Sequence, residues 1–128
     1  MRAFRAVWGR LPGDVTAALL ARWEPPETYN LVALVEDTRK PVPLAYYDTG
    51  LDELGFWMPG VATMPDSCIE VLIAHTLAEV VLWFSEGREA SRRAVNAKIR
   101  AWGFPPGEFY RWRREARKGD LQEQAARV

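Results

Sequence analysis

The stretch from Cys68 to Phe84 constrains this chain more than any other, being apolar throughout except at Glu70, His75, Thr76 and Glu79. A run this short, interrupted by two carboxylates, falls below the roughly 20 apolar residues of a membrane span and is expected to form a helix buried in a protein core. Ile69, Leu72, Ile73, Leu77, Val80 and Phe84 recur at three- and four-residue steps, so one helix face is expected to cover a sheet. Ser67 and Glu70 have the spacing of a capping box at its start, and Gly87 is placed to end or bend it.

The segments before this helix supply the sheet. Tyr29 to Val35 is nearly continuously apolar and bounded by turn residues, as a central strand would be, and Leu44–Asp48 and Leu54–Met58 read as two further short strands. Short connections favour antiparallel neighbours, so the three are expected to form a three-stranded antiparallel meander. Upstream, alternation of Phe4, Ala6 and Trp8 predicts a short N-terminal strand. Asp14 is placed to cap a helix that runs to Trp23 and stops at Pro25-Pro26. The expected class is α+β: a short N-terminal strand and helix, the meander, a long core helix and a basic C-terminal helical segment. Residues 1–85 are expected to form the α+β domain, and residues 86–128 a helical segment packed on the same core.

A chain of 128 residues with 48% hydrophobic and 27% charged residues can bury a core, which excludes a disordered protein. Its one cysteine, Cys68, rules out an internal disulfide, and the N-terminal segment lacks a signal-like apolar run, so a reducing, cytoplasmic setting with no membrane partner is expected.

The 17 basic and 17 acidic side chains are unevenly divided. Residues 1–85 carry six basic against eleven acidic, and residues 86–128 carry eleven basic against six acidic. A split of this size gives two surfaces suited to different partners, with the basic one a candidate for phosphate. Most of the basic side chains are arginine, whose planar fork matches phosphate and carboxylate oxygens.

The last third of the chain carries the most specific signal. Val95, Ile99 and Trp102 make the apolar stripe of a helix ended by Gly103, a residue suited to the left-handed C′ position. Pro105-Pro106 enforces a turn, Pro106 fits the first position of a second helix over 107–118, and Gly119 is expected to end it. Trp102-Gly-Phe-Pro-Pro-Gly-Glu-Phe-Tyr-Arg-Trp-Arg-Arg-Glu-Ala-Arg-Lys-Gly119, within residues 94–119, resembles the helix-turn-helix of bacterial transposases and related regulators. The resemblance covers about a quarter of the chain; residues 1–85 resemble no such family. It implies Gly103 as the turn glycine, Phe104, Phe109 and Trp112 as the inter-helix core, and Tyr110, Arg111 and Arg114 as the recognition face. Arg117 and Lys118 extend the basic set expected to meet nucleic acid.

No constellation points to an enzyme, a cofactor or a metal. His75 and Glu79 at i, i+4 provide two potential ligands without a third, and fit a hydrogen bond at the edge of a core helix better than a metal site. Asp48, Asp52 and Glu53 have the character of turn carboxylates that bind local backbone. Tyr46, Tyr47 and Trp57 lie on adjacent strands whose alternation cannot bury all of them, which makes them candidates for a protein-binding patch. The expected function is a non-enzymatic regulator of a nucleic-acid machine in transcription or recombination, binding nucleic acid or a nucleoprotein complex through the C-terminal helices. The alternative is a protein-interaction factor, such as a phage- or mobile-element-type modulator of host RNA polymerase.

Overall fold

A computed structural model describes residues 2–22, 32–35, 45–48, 50 and 53–126. The side chains of residues 32–35 and 119–126, and those of Arg22, Met58 and Arg117, lie outside the description. In chain order the elements are α1 (Arg2–Arg10), α2 (Gly13–Arg22), β1 (Val32–Val35), β2 (Ala45–Asp48), β3 (Glu53–Trp57), α3 (Met58–Val61), α4 (Asp66–Glu86), α5 (Arg92–Ala101) and α6 (Pro106–Ala126). The class is α+β, with helix predominating.

The N-terminal segment is a helix, not the strand that alternation suggests. Phe4, Val7, Trp8 and Leu11 follow the i, i+3, i+4, i+7 template, which accounts for more of the apolar residues than a period of two. Val7 and Leu11 are buried, and the Phe4 and Trp8 rings stack one turn apart at 6.2 Å. In α2, the Pro12 carbonyl accepts the amides of Val15 and Thr16 at 3.0 and 3.1 Å, so Asp14 sits within the first turn and is not its cap. Trp23, the expected end of that helix, lies outside the described residues.

The sheet has three strands but is not a meander. Its order is β1-β3-β2, with β3 in the centre, antiparallel to β2 and parallel to β1. The meander rests on sequence neighbours being spatial neighbours; the 36–44 connection is long enough to put β1 on the far side of β3. Leu54 and Phe56 on β3 are buried on one face of the sheet, and Gly55 is buried on the other. Gly55 pairs with Tyr46, and a Cβ at position 55 would overlap the Tyr46 ring. The tyrosine covers bare strand backbone, as aromatic residues do opposite strand glycines.

The long helix forms where the sequence places it and does more than cover a sheet. Val71, Leu72, Ile73, Ala74, Leu77, Ala78 and Val80 are all buried, which takes in most of the helix circumference. It lies against α1, α5, α6 and β2. Among the described helices α4 alone has the length and apolarity of a membrane span, yet its central residues are enclosed by protein. Its start is not a capping box. Pro65 holds the N-cap position without a side-chain bond, its carbonyl accepts the amides of Cys68 and Ile69, and Glu70 turns instead to Arg10 at 3.4 Å. Gly87 ends the helix in the left-handed region (φ 68°), its amide bonded to the Trp83 carbonyl at 2.8 Å.

Candidate functional site

The α5–α6 pair is built by local signals. Ser91 caps α5 by accepting the Ala94 amide at 3.2 Å. At its other end Gly103 adopts φ 92°, the Gly103 amide reaches the Arg100 carbonyl at 3.0 Å, and the Phe104 amide reaches the Ile99 carbonyl at 2.9 Å. These two bonds form a Schellman motif, and the fully buried Phe104 and Ile99 make its hydrophobic contact. The chain then enters α6 at Pro106, a residue whose missing N–H is no loss in a first turn.

Phe109 and Trp112 are half-buried against the core with their rings 6.2 Å apart, so α6 is anchored along one face. Gly119 does not end α6, which continues to Ala126: one glycine costs about 1 kcal/mol, and good helix formers follow it.

The five residues expected to contact nucleic acid divide into three groups. Arg111, Arg114 and Lys118 are exposed, and at 3.6 residues per turn they fall within an arc of about 60° on the side of α6 away from Phe109 and Trp112. Lys118 lies 3.8 Å from Glu115, a solvent-exposed pair of little energetic weight. Tyr110 is not on that face; it is half-buried, and its hydroxyl is 3.3 Å from the Asn96 amide nitrogen, tying α6 to α5. Arg117 belongs to α6, but its side chain lies outside the described residues. On α5, Arg93 and Arg100 are exposed one above the other at i, i+7. Arg93, Arg100, Arg111 and Arg114 form no ion pair among the described residues.

Between α4, α5 and α6, beside Ala45 of β2, lies a cleft of about 170 Å³. Its apolar floor includes Val71, Leu72, Ile99 and Phe109, and its polar groups include His75, Glu79, Arg92, Asn96, Tyr110 and Arg113. His75 Nδ1 donates to Glu79 Oε1 at 2.9 Å, the i, i+4 bond that the sequence suggests. In the neutral ring this bond leaves the lone pair on Nε2. The Arg92 guanidinium lies 5.7 Å from the centre of the Tyr110 ring. Only His75, Glu79 and Tyr110 of this set are prominent in the sequence. The signal for the others is the placement of Arg92, Asn96 and Arg113 beside the apolar stripes of their helices, legible once α5 and α6 are known to face each other.

The partner-patch residues separate as strand alternation requires. Tyr47 turns toward α4, meeting the Phe84 ring edge-on at 6.4 Å. Tyr46 and Trp57 lie on the opposite face, both half-buried. The Asp48 carboxylate accepts the Gly50 amide at 2.9 Å, an Asx-type turn bond, while Asp52 lies outside the described residues. Cys68 is buried, and desolvation raises its thiol pKa above the ordinary value; Glu108 acts in the same direction, and Ser67 and Arg111 oppose. No group of three or more histidine, cysteine or acidic side chains placed to hold a metal occurs among the described residues.

No family model, curated protein or solved structure matches this chain.

Proposed function

We propose that this protein binds nucleic acid through the outer faces of α5 and α6, as a non-enzymatic regulator of a nucleic-acid machine. The observation that carries the reading is the strip of Arg111, Arg114 and Lys118 on a helix whose opposite side is anchored by Phe109 and Trp112. A row of exposed cations on an anchored helix suits a polyanion, because each phosphate contact releases condensed counterions. Arg93 and Arg100 extend the same charge along α5.

A glycine-containing turn followed by a second, basic helix also supports the helix-turn-helix that residues 94–119 resemble in sequence. In that geometry the second helix enters the major groove. Arginine forks on its outer face would bind phosphate oxygens or guanine edges.

Fluorescence anisotropy with a labelled duplex tests the reading. Binding at low salt that is weakened in an Arg111→Ala/Arg114→Ala variant is the expected result. A dissociation constant weaker than about 10⁻⁴ M, beyond ordinary non-specific association, would contradict it. So would a cellular partner that persists after nuclease treatment yet depends on the same arginines, which would favour a protein-interaction factor.

A further inference from the structure

The cleft between α4, α5 and α6 brings together two arginines from different helices without an acidic partner for either. Arg92 and Arg113 line it and form no ion pair among the described residues. The carboxylate in the cleft, Glu79, is engaged by His75 at 2.9 Å. The local balance is therefore positive, by at least one charge. Asn96 adds a donor: of its two amide protons at most one is taken by the Tyr110 hydroxyl. These groups stand above a floor of Val71, Leu72, Ile99 and Phe109.

We infer that this cleft is a binding site for a small organic anion, its oxyanion head held by Arg92, Arg113 and Asn96 and its apolar body laid on the floor. Size restricts the ligand. About 170 Å³ corresponds to roughly five or six water volumes, well below the cavities that hold drug-sized molecules. An anionic head with a single ring fits; a nucleotide does not enter whole. The head is a carboxylate or a phosphate, since guanidinium forks pair with both. Arg92 is also braced by its position over the Tyr110 ring. The Glu79 bond to His75 Nδ1 sets the imidazole's orientation at the edge of the same space. This site uses different residues from the outer basic strip and does not depend on nucleic-acid binding.

The test uses the full chain and three probes: benzoate, phenyl phosphate and the uncharged benzamide. Binding is followed by calorimetry and by the imidazole resonances of His75, which are unambiguous because the chain has one histidine. One-to-one binding of at least one of the two anions is expected, with a shift of the His75 signals and benzamide at least tenfold weaker. Arg92→Ala and Arg113→Ala, both at exposed positions, should each weaken the anion at least tenfold, whereas Arg5→Ala on α1 removes the same charge at a residue that does not line the cleft and should not. The assignment is overturned if neither anion binds, if benzamide binds as well as the anions, or if both cleft variants keep wild-type affinity.

Discussion

Arg10 lies with its guanidinium carbon 4.2 Å from the centre of the Phe104 ring, so the end of α1 clasps the turn between α5 and α6. The same side chain donates to the Gly103 carbonyl at 3.1 Å and reaches Glu70 on α4 at 3.4 Å. One residue from the acidic half of the chain thereby fixes the basic helix pair on its scaffold.

Arg10 is half-exposed, so each of these contacts is modest on its own. Arg10→Ala is expected to lower stability by about 1 kcal/mol in chemical denaturation. Arg10→Lys should recover little of it, because an ammonium lacks the planar group that stacks and forks.

Leu77 is fully buried in the middle of α4, the helix against which α1, β2, α5 and α6 all pack. Leu77→Ala should cost about 2–5 kcal/mol, combining lost transfer energy with a cavity the surrounding elements cannot close. A denaturation midpoint equal to wild type would contradict the central place given to this helix.

Gly55 has no room for a methyl group under the Tyr46 ring. Gly55→Ala should therefore destabilise by about 1–3 kcal/mol, the usual cost of overpacking. Removing the ring in Gly55→Ala/Tyr46→Ala should cost less than the sum of the two single changes, as expected for residues in contact.

Much of this arrangement is legible in the sequence because local chemistry decides it. Gly87 and Gly103 end their helices as their residue type suggests, and Leu72, Ile73, Leu77 and Val80 of α4 are buried as their spacing predicts, while Ile69 and Phe84 are half-buried. The rest depends on distant partners. Strand positions follow from local composition, but the parallel pairing of β1 with β3 is a matter of which edge the chain reaches after the 36–44 connection. In α1, alternation through Ala6 competes with helical spacing through Val7, and burial of Val7 and Leu11 against the fold decides the outcome. The basic strip of α6 is visible in a helical projection, whereas the cleft arises only when α4, α5 and α6 pack together.

Burial predicts a silent thiol. With Cys68 enclosed and its pKa raised chiefly by desolvation, native protein should not react with a disulfide reagent near neutral pH, while denatured protein should react at once. Because the folded thiol titrates above the unfolded one, its stabilising share is full below the ordinary thiol pKa and is lost as pH rises through the folded value. Stability should thus decline with alkaline pH less steeply in Cys68→Ala than in wild type.

The central claim is that the outer face of α6 meets phosphate, and the salt dependence of duplex binding tests it most directly. Each phosphate contact contributes about 0.9 to the slope of log affinity against log salt. Arg111→Ala/Arg114→Ala, with an unchanged circular dichroism spectrum, should flatten that slope by about 1.8. A slope equal to wild type in the folded double variant would contradict the account.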